Sequence, residues 1–286
     1  MLMLALEHDS LKISNGKWMW WSRGFGGSSA LDYLIKVKCM PFMDAMKVLT
    51  RGDAFLHHSD AKLCRKEEYD GERKLLLPEK ADTNFEVIRY LTGRGIDESI
   101  IRDCIDNGLL YESLPYHNCI FVGFDEEGKA AYAFFRATNG ERMMGDAAGS
   151  DKKYSFRINC KGSTLHVFES AIDLLSFATL CKMQTGEWLI DPMVSLGGVY
   201  VSSPNKPATK LPSALKNALQ NYPAVTTIAL HLDNDHAGRS ATGSISERLR
   251  DRFIIKDEPP PTGKDYNDYL MRVHQRYRSK VQDAVR

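Results

Sequence analysis

The period of apolar and polar positions changes along this chain, and the changes divide it. In the first fifty residues two short extended runs, Leu11-Lys12-Ile13 and Trp18-Met19-Trp20-Trp21, flank Ser14-Asn15-Gly16, where Asn-Gly favours a hairpin turn. The period then becomes helical. Leu31, Leu34 and Ile35 set one apolar face of a helix beginning near Ser28, and after Pro41 a second short helix spans Phe42 to Leu49. Residues 51–80 are polar and charged around Arg65-Lys66-Glu67-Glu68 and close on Leu75-Leu76-Leu77-Pro78, a linker that docks at its end.

From Asp82 two helices, Phe85 to Leu91 and Glu98 to Ile105, are stopped by Gly93 and Gly108. A hairpin follows, Cys119 to Phe124 and Ala131 to Ala137 around Asp125-Glu126-Glu127-Gly128, so residues 81–160 read as an α+β segment. Beyond Gly162 strands and helices alternate: strands Leu165 to Phe168, Val194 to Leu196 and Thr226 to Leu232, and helices Ala171 to Cys181, Ser213 to Leu219 and Gly238 to Leu249. Alternation of that kind predicts right-handed β-α-β units on a mainly parallel sheet over residues 161–286, an α/β fold.

Composition adds limits. At 286 residues and 43% hydrophobic content the chain affords two or three compact units, and a net charge of +1 confines any nucleic-acid groove to a local patch. Six dispersed cysteines, Cys39, Cys64, Cys104, Cys119, Cys160 and Cys181, form no C-x-x-C pair, which fits reduced thiols and a cytoplasmic location. The opening Met1 to Leu6 is too short for a signal-peptide core, no apolar run reaches membrane-spanning length, and the abrupt start fits a fragment of a longer product.

Several acids stand at the ends of strand-like runs. Glu169 follows Leu165-His166-Val167-Phe168 with Asp173 one turn on, Asp233 and Asp235 follow Ile228-Ala229-Leu230-His231-Leu232, and Asp265 and Asp268 flank the later Lys264-Asp265-Tyr266-Asn267-Asp268 run. Carboxylates at strand ends converge on one rim of a parallel sheet, where oxygen donors suit a hard divalent cation. Each also has an ordinary reading: Glu169 as a helix-start acid, Asp233 and Asp235 as turn formers, Asp265 as an N-cap.

The runs Val167-Phe168-Glu169-Ser170-Ala171-Ile172-Asp173, Ser195-Leu196-Gly197-Gly198 and Leu232-Asp233-Asn234-Asp235-His236-Ala237-Gly238 resemble the TOPRIM domain of bacterial primases, type IA and II topoisomerases and some nucleases. Gly263-Lys264-Asp265-Tyr266-Asn267-Asp268-Tyr269-Leu270 is similar to a segment after that core in primase-like members, and the resemblance covers about Lys161 to Leu270. It implies a Rossmann-like sheet and a magnesium or manganese site at Glu169, Asp233 and Asp235, supported by Asp173 and Asp265.

Upstream, Asn118 to Lys129 with Ala133-Phe134-Phe135-Arg136 resembles a hairpin of the DnaG-type primase core, and Lys152-Lys153-Tyr154 stands where that core has a basic stretch. Arg136, Lys152, Lys153 and Lys264 are then candidates to hold template or triphosphate. Residues 1–50 resemble the primase zinc-binding unit in outline around Gly24-Phe25-Gly26-Gly27, but Ser22 and Phe25 replace paired cysteines and only His8 echoes a ligand, so no zinc is expected. Trp18, Trp20 and Trp21 fit a core that substitutes for zinc better than a base-stacking platform, and His57, His58, His117 and His231 lack zinc spacing.

The resemblance is to primase-like proteins of plasmids and conjugative elements. It implies metal-dependent nucleotidyl transfer on a single-stranded DNA template with nucleoside triphosphates, and a relaxase or helicase as possible partner. The alternatives are a TOPRIM nuclease and a non-catalytic single-stranded-DNA-binding adaptor; topoisomerase chemistry fits less well, with no tyrosine in an identifiable nucleophile context.

Overall fold

The computed structural model describes residues 3–4, 11–14, 17–20, 25–27, 29–38, 40, 42–50, 74–140, 143–198 and 211–284. His8, the Asn15-Gly16 turn, Trp21, Ser22, Arg23, Gly24, Cys39, His57, His58, Cys64 and the Arg65 to Glu68 run lie outside the described residues. The chain divides into two compact units, residues 1–74 and 75–286.

In the first unit, β1 (Met3–Leu4), β2 (Leu11–Ser14), β3 (Lys17–Trp20) and β4 (Phe25–Gly27) form an antiparallel sheet in that order. Alternation puts Trp18 and Trp20 on one face, buried with Leu11 and Val37. Trp18 meets Tyr33 edge-on and donates its indole N–H to the Ser29 carbonyl at 3.3 Å. Ser29 caps α1 (Ala30–Lys36) by accepting from the Asp32 N–H, and α2 (Phe42–Thr50) follows. These two tryptophans are core residues, as their alternation predicts.

The second unit opens with α3 (Phe85–Gly93) and α4 (Glu98–Asp106), which lead into an antiparallel sheet. Its strands run in chain order: β5 (Leu110–Glu112), β6 (Cys119–Phe124), β7 (Ala130–Arg136) and β8 (Met144–Asp146). The segment after Lys74 is tied to this sheet, with the Leu76 N–H donating to the Ala148 carbonyl.

A second sheet has the order β13-β12-β10-β11-β9, from β9 (Arg157–Ile158), β10 (Thr164–Phe168), β11 (Met193–Ser195), β12 (Thr227–His231) and β13 (Ile254–Asp257). β9 pairs antiparallel with β11, and the other four strands are parallel, as the alternating pattern predicts. The chain passes from central β10 outward to β11, then crosses back to β12 and on to β13. That reversal opens a crevice at the carboxyl ends of β10 and β12, the usual ligand position in an open α/β sheet.

Two cores cover the two faces. Leu165 and Val167 of β10 and Ile228 and Leu230 of β12 pack with α6 (Ser213–Asn221) and α7 (His236–Leu249). On the other face Phe168 packs with α5 (Ala171–Thr185), α8 (Tyr266–Ala284), α3 and α4. α5 is buried nearly all round, so its sequence lacks an amphipathic stripe. β13 lies at the sheet edge with Ile254 63% exposed, and its polar Lys256-Asp257 end gave no apolar run to read.

The α5 and α8 face also holds two adjacent imidazoles, His231 buried and His166 half-buried. His166 Nδ1 lies 2.7 Å from His231 Nε2, and His231 stacks on Phe168 with ring centroids 4.8 Å apart. His231 is thus a core residue, with Nδ1 3.0 Å from both the Tyr266 hydroxyl and the Glu258 carbonyl.

Candidate functional site

Glu169 leaves β10 directly. Because Phe168 is in register with both Ser195 and His231, Glu169 emerges between the glycine loop after β11 and the acidic loop after β12. Its backbone is fixed by two N–H donors of the loop after β11: Leu196 to the Phe168 carbonyl at 2.8 Å and Gly198 to the Glu169 carbonyl at 3.0 Å. Its carboxyl Oε2 is buried and has no hydrogen-bond partner, a costly state for a charged oxygen. Next along, Ser170 caps α5, accepting from the Asp173 N–H and donating its hydroxyl to Asp173 Oδ2 at 2.5 Å. Asp173 is buried, and its Oδ1 accepts the Asn267 N–H at 3.3 Å.

The loop after β12 places buried Asp233 beside Asp235, whose Oδ1 caps α7 by accepting the Gly238 N–H at 3.0 Å. Glycine is required at 238, where a Cβ would collide with the Asp233 carbonyl oxygen. The middle residue, Asn234, ties this loop to the segment before α8: its N–H donates to the Lys264 carbonyl at 2.7 Å and its amide to the Pro260 carbonyl at 2.9 Å. Lys264 is thereby held over the acids, Nζ 3.4 Å from Asp233 Oδ2 and 3.3 Å from Asp235 Oδ2. Asp265 takes the cap position of α8, accepting from the Asp268 N–H at 2.7 Å.

Crowding shows in the proton affinities. Burial first, then Asp233, Asp235 and Asp173, push the Glu169 carboxyl up to about 7. Burial and Asp265 raise Asp173 to about 7, and burial raises Asp233 to about 6 against the pull of Lys264. Asp235, held by the Gly238 N–H, lies below the usual carboxylate range. Glu169, Asp173 and Asp233 therefore hold their protons more tightly than isolated carboxylates, which relieves the repulsion among them.

Do these residues suit the divalent cation that the TOPRIM resemblance implies? Among the described residues no three His, Cys, Asp or Glu side chains enclose an ion. The donors themselves fit: acceptor-only oxygens, the orphaned Glu169 Oε2, and an acid pair already holding the ammonium of Lys264. Glu169 would hold such an ion through its open oxygen, Asp233 and Asp235 would offer their Oδ2 atoms once Lys264 moves, and Asp173 and Asp265 are engaged by hydrogen bonds within the fold.

The basic residues occupy two places. Lys152 donates to the Gly197 carbonyl at 2.8 Å and pairs with Asp146, so it braces the glycine loop beside Glu169. Lys153 lies over the Tyr154 ring. Arg136 Nε donates to the Tyr90 hydroxyl at 3.2 Å, and there it meets Arg94, a residue the sequence did not single out, whose Nη1 donates to the same oxygen at 3.0 Å. Arg94 Nε continues to Asn267 Oδ1 at 2.9 Å, and Asn267 donates to Arg94 and Ser176 as well as Asp173. One relay of contacts thus joins two guanidinium groups to the acid cluster. The only signal for Arg94 was its place between Gly93 and Gly95 at the end of a helix.

Comparison with known proteins bears on this arrangement. Residues 166–270 match the Toprim-like family model, and residues 89–163 match a family of proteins of unknown function, DUF3991. The chain is 26% identical over 302 residues to the uncharacterized protein pXO2-78 of Bacillus anthracis, covering 96% of this chain and 83% of that one. Its structure is similar to the primase fragment of the bacteriophage T7 primase-helicase protein, with TM-score 0.45 and 16% identity over 66% of this chain and 72% of that chain. It is also similar to the DnaG primase catalytic domain bound to ssDNA, with TM-score 0.43 and 13% identity over 67% and 71%.

Proposed function

The chain carries a Toprim-like domain at residues 166–270, and from that premise we propose that it is a primase-like nucleotidyltransferase acting on single-stranded DNA. The observation that carries this reading is the relay from the acid cluster through Asn267 to Arg94 and Arg136, two guanidiniums converging on the Tyr90 hydroxyl. Guanidiniums brought together on a neutral oxygen favour an anion between them, and phosphate suits their fork geometry.

In this mechanism Arg94 and Arg136 grip phosphates of a strand or triphosphate and orient them toward the rim of β10 and β12. Lys264 leaves the acid pair and faces the incoming phosphates. Magnesium or manganese, when held by Glu169, Asp233 and Asp235, supplies neutralisation of phosphate charge. Glu169, whose second carboxyl oxygen Oε2 has no partner within the fold, takes up the proton of the attacking 3′-hydroxyl. The bond from that oxygen to the α-phosphorus forms as the bond to pyrophosphate breaks. We also propose that the template belongs to a mobile element, a reading supported by the pXO2 name of the relative.

Template-dependent incorporation of labelled nucleotides tests this. Asp233→Ala and Asp235→Ala are expected to lower it by roughly 100-fold or more, as loss of a charge-stabilising group does, with circular dichroism unchanged. Unaltered incorporation in both variants rejects the mechanism. Shortening of labelled single strands by magnesium and protein alone, with no incorporation, would instead assign the acids to hydrolysis.

A further inference from the structure

We propose that a second site in the 75–286 unit, the cavity between α3 and the loop after β5, seats one base of a single-stranded nucleic acid. The inference rests on the reading above for the strand, but the site it assigns lies outside the acid cluster and takes part in no step of the mechanism. The cavity measures about 410 Å³, within the roughly 300–1,000 Å³ of ligand pockets.

Its floor is the carboxylate of Glu112, 2% exposed. Oε2 accepts the N–H groups of Glu86 at 2.8 Å and Val87 at 3.3 Å, closing the first turn of α3. Oε1 lies 2.5 Å from His117 Nδ1. That contact directs Nδ1 at the carboxylate and leaves Nε2 facing away from Glu112. The ring is held in place: His117 has φ 53°, uncommon outside glycine, with its N–H on the Ser113 carbonyl and its own carbonyl accepting from Thr138 Oγ1, both at 2.8 Å. Capping α3 accounts for Glu112, but it does not account for a histidine fixed in this orientation.

The walls carry two aromatic rings in water, Phe85 at 66% and Tyr116 at 75% exposed. Arg89 adds a cation restrained by a surface pair with Glu86. Aromatic faces with an adjacent cation and one oriented ring nitrogen match the π-face, phosphate and polar edge of a nucleotide. Position agrees with this. α3 carries Arg89 on the cavity side and Tyr90 where its C-cap Arg94 meets Arg136, and β7 ends at Arg136 two residues before Thr138. A strand gripped by Arg94 and Arg136 is thus held by the same two elements, α3 and β7, whose neighbouring residues line the cavity.

Fluorescence anisotropy with a fluorescein-labelled single-stranded oligodeoxynucleotide, in buffer free of metal and nucleotides, tests the site on the full chain. Tyr116→Ala and Phe85→Ala are expected to weaken binding about 5- to 100-fold, the range of a lost base stack, while Tyr116→Phe stays within about two-fold. His117→Asn, which accepts the left-handed backbone, should weaken it several-fold, and ultraviolet crosslinks should map to residues 112–117. Binding by both alanine variants within two-fold of wild type, while Arg136→Ala binds poorly, overturns the cavity and spares the primase-like reading. A Tyr116→Ala defect in a protein that incorporates no nucleotide upholds the cavity and rejects that reading. No binding of single strands by the wild type overturns both.

Discussion

Lys264 sits where a cation is wanted, 3.4 Å from Asp233 and 3.3 Å from Asp235, yet its side chain is 58% exposed and attached through a long flexible stem. It is a resident counter-charge that an incoming ion must displace. Lys264→Met should therefore tighten manganese binding about 3- to 10-fold in calorimetry at pH 8, where the neighbouring carboxyls are ionised, a gain of roughly 0.6–1.4 kcal/mol. Equal or weaker binding would show that the lysine assists the ion instead of competing with it. Glu169, Asp233 and Asp235 were legible because each follows an apolar strand run. The N-cap reading of Asp265 holds at α8, and Asp235 caps α7; which acids cap and which stay open to an ion was not legible, because that depends on neighbours distant in sequence. Arg94 and Asn267, 173 residues apart, touch only in the folded chain.

At the scale of elements, the alternating pattern located β10, β12 and their helices within a few residues, since buried parallel strands are continuously apolar. It missed β13 and β9, an edge strand with an exposed polar end and a two-residue pairing too short for a period. It also left unread the imidazole pair that fastens β10 to β12. Burial lowers the His166 value to about 4, against about 6.5 unfolded. The unfolded chain then takes up this proton first as pH falls, so its contribution to stability is complete above about 6.5 and lost from there down to about 4. His166→Phe removes that dependence. In urea titrations the wild type should lose stability relative to this variant between pH 7 and 4.5, and a constant difference would place the imidazole in water.

For the 75–286 unit as a whole, the decisive feature is one core shared by α3, α4, α5, α8 and Phe168 of β10. Leu91, fully buried in it, lies far in sequence from the acids. Leu91→Ala should cost about 2–5 kcal/mol, and helix signal and metal binding should vanish at the same lowered denaturant concentration. If metal binding survives after the α3 helix signal is lost, the core is two cores. The Toprim-like sheet was legible as a unit, but its dependence on the preceding helices was not, since apolar faces do not name their partners.

The boundary between the two matched families falls between residues 163 and 166, yet β9, on the near side of it, is hydrogen-bonded to β11 on the far side. A recombination event at that boundary would leave β11 with a bare edge and the helices with half a core. The two stretches are therefore expected to fold only as one piece: residues 164–286 made alone should give an aggregating chain, and co-expression with residues 75–163 should restore a soluble one.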